Sequence, residues 1–326
     1  MKPILFFHRN IKCGFSINKV SQTFIRKIDD YQEFYAPFNR ADVISLLRNL
    51  LFVLRYRNKH AINHITGDIH YCIMALLGCK SVLTIHDTNM YDFCRNPLKR
   101  WVFRLFWFKL PIRFAGKVVC ISTETKRRVL QFSKRKDIEV IYNAVDDSFL
   151  RQKPQPVPYH KKPHILLIGT NVNKNVVRTI EALSGIECQL IIIGHLNDEI
   201  SNALKKHQMD YIIKTKLRDA EIIEEYRACD IVSFCSIYEG FGMPIIEGNA
   251  MGRPVITSCI EPLIEIAGDA ALLVSPYDVE DMRRGFLNLI NDSTLRLRLV
   301  ENGLKNIMRF QSQEIAKQYM NLYKSL

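Results

Sequence analysis

"HILLIGTNVNKNVVRTIEALSGIECQLIIIG", residues 164–194, reads as strand, polar loop, helix and strand, divided as "HILLIG" (164–169), "TNVNKN" (170–175), "VVRTIEAL" (176–183) and "CQLIIIG" (188–194). Short apolar runs joined through a helix predict parallel strands with crossover connections. The alternation continues downstream, with "IIEEYRA" helical, "DIVSFCS" a strand, "PIIEGNAM" helical and "RPVITS" a strand. Upstream, "KPILFF", "SVLTIHD" and "KVVCIS" repeat the style as short apolar strands. Both halves read as doubly wound α/β units. Between them "RQKPQPVPYHKKPH" (151–164) carries four prolines and no apolar periodicity, the signature of a linker. The expected division is 1–150, 151–311, and a final helix over 312–326.

The 326 residues, 48% hydrophobic and 24% charged, are enough for two packed cores. Nine cysteines, odd in number and never spaced CxxC, argue against a disulfide framework and a cysteine zinc site, and fit a reducing, cytoplasmic compartment. "MKPILFFHRNIKCG" has too short an apolar run for a signal segment, and no stretch approaches a spanning length. The net charge of +13 is unevenly placed, with 25 Lys+Arg against 12 Asp+Glu in residues 1–150 and 21 against 21 in the rest. A basic half joined to a neutral one points to an anionic partner, such as nucleic acid, a phosphorylated substrate or an anionic membrane, or to no more than a soluble basic face.

Ligands of doubly wound sheets bind outside the carboxyl ends of the strands. One such end is followed by "YEGFGMPIIEGNAMGRPVI" (238–256), with Pro244 fitting the first helical position and Gly252 and Pro254 marking the stop. Gly240 and Gly242 let backbone amides approach a ligand, and the helix start adds unpaired N–H groups with partial positive charge, which suits a phosphate. Glu239 is expected in the loop beside that anion, and Glu247 in the first helical turn, where a carboxylate can accept hydrogen bonds from a ribose diol. The plainer alternative is a tight turn with a glutamate favouring a helix N-terminus. Lys174, leading from the loop after "HILLIG" into a helix, can balance a diphosphate as a point charge or serve as a solvated surface lysine. No aspartate-rich metal pattern occupies a suitable place, since Asp146 and Asp147 are adjacent and precede the linker.

These residues resemble the retaining GT-B glycosyltransferases of glycosyltransferase family 4. The C-terminal half carries the likeness almost continuously, in "KN" after the first loop, "EGFGMPIIE", "GRPVITS", "EIAGDAALLVSPYD" and "RF" before the last helix. The resemblance implies two Rossmann-like domains facing each other across a cleft. It makes Lys174 the holder of the donor diphosphate. It gives the backbone of Gly240, Phe241, Gly242 and Met243 to the donor, Glu247 to ribose and Glu239 to the transferred sugar. The N-terminal half matches more loosely, through "VLTIHD", "VVCISTETKRRV" and "VIYNAVDDSF". There His86 matches the histidine that faces the donor sugar. The family's glycine-rich loop after the first strand is reduced to Gly14 and a helix that Ser16 could cap, which makes these two the candidates for acceptor binding. The implied reaction retains the anomeric configuration and needs no metal and no cofactor beyond the nucleotide-sugar substrate, with a lipid-linked or polysaccharide precursor as acceptor. Alternatives are a GT-B epimerase, a phosphorylase, which would need pyridoxal phosphate, and a sugar-nucleotide-binding protein without transferase activity. Nucleic acid is an unsupported partner, for no zinc spacing, helix-turn-helix or RNA-binding signature is present.

"NPLKRWVFRLFWFKLPIRFAGK" (96–117) gathers both tryptophans and four phenylalanines among basic residues. On a straight helical wheel only Arg100 and Arg104 form a polar sector over 98–110, so the segment suits either a lipid interface or burial within its own domain. The first reading places the protein peripherally on the inner face of the cytoplasmic membrane.

Overall fold

The computed structural model describes residues 2–11, 16–152 and 159–326. The chain divides into two compact units, Met1–Ala144 with Ser312–Leu326, and Val145–Gln311. Among the described residues each unit is built on one six-stranded parallel sheet. The first contains β1 (Ile4–His8), β2 (Tyr31–Tyr35), β3 (Ile62–Ile65), β4 (Lys80–Ile85), β5 (Lys117–Cys120) and β6 (Ile138–Val140), in the order β2-β1-β3-β4-β5-β6. The second contains β7 (His164–Ile168), β8 (Gln189–Ile193), β9 (Asp210–Lys214), β10 (Ile231–Phe234), β11 (Val255–Ser258) and β12 (Leu272–Val274), in the order β12-β11-β10-β7-β8-β9. Counted from β7, that is the Rossmann order 3-2-1-4-5-6 read from the other edge, and its switch point lies between β7 and β10.

The central strands are continuous apolar runs because helices cover both faces. In the second unit Ile165, Leu190, Ile192, Ile231 and Ile256 pack with Val176, Ile180 and Leu183 of the helix Val176–Leu183. Edge strands escape that rule. The first three residues of β9, Asp210 to Ile212, are exposed, and a strand paired on one side only needs no apolar run.

In the first unit, one sheet face carries the helix Val43–Tyr56, the segment 97–114 and the helix Thr123–Val129. Their Val53, Trp107, Phe108 and Val129 share a core with Leu5, Phe7 and Leu83. A second cluster joins Phe24 and Ile25 of the helix Ser16–Ile25 to Ile315, Tyr319, Leu322 and Tyr323 of the last helix, Ser312–Lys324. There Tyr319 stacks on Phe24 with ring centroids 4.1 Å apart, and Tyr323 Oη lies 2.7 Å from His64 Nδ1.

Two sequence expectations need adjusting, and one element was missed. The division falls at Ala144/Val145 and not after residue 150, because Phe149, in the short helix Asp147–Leu150, packs edge-on against Tyr226 with centroids 5.4 Å apart. Segment 97–114 is neither uniformly apolar-faced nor wholly buried. It runs as α-helix over Pro97–Phe103, widens to a π-helix over Arg104–Lys109 and returns to α over Leu110–Phe114. The wide turn breaks the 100° phase, burying Trp107 and Phe108 while Trp101 and Leu98 stay exposed. The helix Val43–Tyr56, which the sequence reading passed over, buries Ser45, Asn49 and Val53 and exposes Val43, Ile44, Leu47, Leu51 and Leu54.

Candidate active site

Lys174 and Glu239 leave the sheet at the switch point of the second unit, Lys174 after β7 and Glu239 after β10, strands that pair in parallel. Lys174 Nζ lies 2.6 Å from Glu239 Oε1. Its ammonium also sits 4.6 Å from the centre of the Phe234 ring, at the end of β10. Its stem crosses Gly169, where a Cβ would stand 3.2 Å from Lys174 Cε at a φ of +86° that disfavours other residues. Asn173 locks the two loops together, donating to the Tyr238 carbonyl at 3.0 Å and to Glu239 Oε1 at 3.2 Å. Asn175, left-handed at φ 59°, opens the next helix and donates to the Cys235 and Pro276 carbonyls at 3.1 and 2.8 Å. Neither asparagine's positioning role was drawn from the sequence. The quoted "KN" contained Asn175, and Asn173 stood one residue before it.

The helix Met243–Ala250 starts on Gly242, whose φ of +121° only glycine adopts without strain. Met243 is its first residue and Pro244, expected to open it, its second. Phe241 is buried with its ring edge-on to Phe310, so its backbone, not its side chain, is what remains for a ligand. Gly240 sits half-buried in the loop between Glu239 and this helix. Glu247 is the fifth helical residue, one turn further in than expected. The Tyr226 hydroxyl donates to Glu247 Oε2 at 2.5 Å and orients it, while burial, followed by the Glu247 charge, holds the Tyr226 phenol well above its usual range.

His86 belongs to the first unit, after β4. It is buried, and its Nε2 donates to the Thr66 carbonyl at 2.8 Å, which leaves Nδ1 as the acceptor nitrogen. Burial lowers its pKa to about 4, against a smaller raising effect of the Thr66 contact, so the ring is neutral at pH 7. It lines a cavity of about 200 Å³ with Arg9, Asp68, His70, Asn89 and Trp107. Arg9 follows β1 and Asp68 follows β3, so this cavity marks the first sheet's own switch point, with the two side chains paired at 3.4 Å. No sequence pattern had flagged Arg9 or Asp68. Their signal was position alone, a charged residue just past a strand end. Gly14 and the Ser16 side chain lie outside the described residues.

Two doubly wound units, the second in Rossmann order with charged and helix-terminal groups at its switch point, define the GT-B class of fold. A solved structure of the Anabaena protein HepE in complex with UDP-glucose aligns over 99% of this chain and 100% of its own, with a TM-score of 0.81 at 15% identity. Residues 148–306 match the family model described as glycosyl transferases group 1, and residues 24–149 the model described as glycosyltransferase family 4. An uncharacterized glycosyltransferase of Methanocaldococcus jannaschii is 29% identical over 268 residues, 78% of this chain and 72% of that one. The O-antigen chain mannosyltransferase B of Escherichia coli is 33% identical over 108 residues, 33% of this chain and 28% of that one. The chain belongs to the group 1, family 4 type of glycosyltransferases, and it is an enzyme of glycosyl transfer.

Proposed function

We propose that the enzyme moves a sugar from a nucleoside-diphosphate donor to a hydroxyl of a lipid-linked or polysaccharide precursor, with retention at the anomeric carbon and no metal in the chemical step. The observation that carries this reading is the 2.6 Å pair of Lys174 and Glu239 beside a helix that begins on a left-handed glycine. As the donor splits, negative charge grows on the departing diphosphate, and the positions that oppose it are the Lys174 ammonium and the helix N-terminus with the amides of Gly240 to Met243. Lys174 exchanges Glu239 for phosphate when donor binds, which turns Glu239 toward the hydroxyls of the sugar. Glu247, held by Tyr226, takes the ribose. Neutral His86 offers Nδ1 to a sugar hydroxyl. The departing phosphate receives the acceptor proton, so no separate base is required. The likeness to an O-antigen mannosyltransferase and to a protein solved with UDP-glucose supports the donor and acceptor classes.

The acceptor side favours a membrane surface. No helix among the described residues is long and apolar enough to cross a membrane. The helix Val43–Tyr56 nonetheless turns Ile44, Leu47, Leu51 and Leu54, spaced i, i+3, i+7 and i+10, to solvent, beside exposed Arg48 and Arg55. Leu98 and Trp101 are exposed in the same helical layer, at 71% and 58%. An apolar stripe flanked by arginines suits the inner, anionic leaflet, where each basic residue contributes about 1 kcal/mol.

The test is a panel of nucleotide sugars offered to purified enzyme with a lipid-diphosphate sugar acceptor, the product's anomeric configuration read by NMR, with and without EDTA. Transfer with retention that survives chelation is expected. An inverted product, or a chemical step abolished by EDTA and restored by Mg²⁺, refutes the mechanism, and donor turnover without acceptor favours epimerisation.

A further inference from the structure

At the opposite end of the second sheet from Lys174 and Glu239, three side chains converge from separate stretches of chain. His160 lies in the approach to β7, His164 is the first residue of β7, and Asp230 immediately precedes β10. Their ligating atoms all lie within 4.8 Å of one another, and this is such a group of three among the described residues. Asp230 is fully buried, accepting from His160 Nδ1 at 2.9 Å and from the His164 backbone N–H at 2.7 Å. The two imidazoles stack with centroids 3.9 Å apart. His160 keeps 38% of its side chain exposed, so an ion can enter.

We infer that His160, His164 and Asp230 form a zinc-class site that clips the chain leaving the linker onto the starts of the two central strands, β7 and β10, of the second sheet. The chemistry of the donors selects the metal. Two imidazoles and one carboxylate suit zinc and its transition-metal neighbours, whereas calcium and magnesium demand oxygen ligands throughout. The spacing is close. Tetrahedral zinc with bonds of about 2.1 Å places its ligand atoms about 3.4 Å apart. The His160–Asp230 pair already lies inside that span, and rotation of the imidazoles draws in the third. Zinc then takes the place of the proton that His160 Nδ1 donates to Asp230, and the neutral ring carries its one proton on Nε2 instead, so no net proton is lost. The fourth position falls to water. Strands of four to five residues separate this cluster from the donor residues by roughly 15 Å, so the ion is structural and takes no part in transfer.

The probes are Zn²⁺ and Co²⁺ added to untagged, metal-stripped full-length enzyme. The expected result is one equivalent bound, with the visible bands of low-symmetry, four-coordinate cobalt. Zinc at about 100-fold over Kd should raise the Tm by roughly 5 to 10 °C. His160→Ala, at an accessible loop position, should weaken binding at least tenfold, as should His164→Ala, while nucleoside diphosphate affinity stays as in wild type and reports an intact fold. No binding at millimolar metal overturns the inference. So does binding of unchanged affinity in both variants, which would put the ion elsewhere. Failure here leaves the transferase reading untouched, since none of its groups is shared.

Discussion

Replacing Lys174 by alanine separates its ion pair with Glu239 from the role proposed for it with donor bound. A charge-assisted hydrogen bond to a phosphate contributes roughly 1.5 to 3 kcal/mol. In the wild type part of that is offset, because Lys174 must first leave Glu239. The pair is about four-fifths buried on both sides, so its own coupling sits near the upper end of the range for exposed pairs, about 1 kcal/mol. The net loss for Lys174→Ala is then about 0.5 to 2 kcal/mol, or roughly 2- to 30-fold weaker binding of nucleoside diphosphate. In a Glu239→Gln background nothing competes for the ammonium, and the same replacement should cost about fivefold more than in wild type. Glu239→Gln alone should tighten diphosphate binding by about fivefold, because the ammonium is then free of its partner, while turnover collapses. Calorimetric titration of the four proteins with UDP, GDP and ADP gives the full cycle. The reasoning is refuted if Lys174→Ala binds within twofold of wild type in both backgrounds, or if Glu239→Gln weakens the diphosphate as much as Lys174→Ala does.

Tyr226→Phe should raise KM for the donor about three- to tenfold with little change in kcat, since removing one hydrogen bond to a charged group frees Glu247 to rotate away from ribose; an unchanged KM would show that Tyr226 is only packing. The folded-state pKa of His86 is about 4 against 6.5 unfolded, so its contribution to stability is complete above pH 6.5 and is lost as pH falls toward 4, by up to about 3 kcal/mol. His86→Gln should flatten that part of the Tm-against-pH curve, and parallel curves for the two proteins would count against it. In flotation assays the enzyme should rise with anionic liposomes at low salt, stay down with neutral ones and release at high salt, and Leu47→Glu with Leu51→Glu should abolish flotation without loss of transfer to a water-soluble acceptor. Wild type that never floats sinks the membrane reading.

The second unit was legible because its central strands are unbroken apolar runs, and such runs signal strands covered on both faces whatever their neighbours. The helix Val176–Leu183 and the start of β7 stand where "VVRTIEAL" and "HILLIG" put them. Edge strands such as β2, "YQEFY", and β9, "DYIIK", carry mixed patterns, and nothing local marks them. The helix Val43–Tyr56 misleads in the opposite sense: it is apolar on both sides, with Leu46, Leu50 and Val53 against the core beside buried Ser45 and Asn49, and Ile44, Leu47, Leu51 and Leu54 outward, so apolar content does not choose its buried face. In segment 97–114 a π-turn re-phases the side chains, an event with no sequence period of its own. The residues proposed for the donor were singled out from strand ends and from the family resemblance of "KN" and "EGFGMPIIE". Their partners Asn173 and Tyr226 were not, because each acts across a loop or between helices distant in sequence.

The last helix gives the protein an unusual order of birth. Ile315, Tyr319, Leu322 and Tyr323 belong to the core of the unit whose sheet lies in Met1–Ala144, yet they are made only after the whole of Val145–Gln311. Val145–Gln311 emerges whole and can close its sheet during synthesis, while the older half waits with Phe24, Ile25 and Ile62 lacking their cover and His64 lacking its tyrosine. A nascent chain stalled before Ser312–Lys324 has emerged therefore carries a finished second unit and an unfinished first one, and emergence of that helix is what closes the first unit's core.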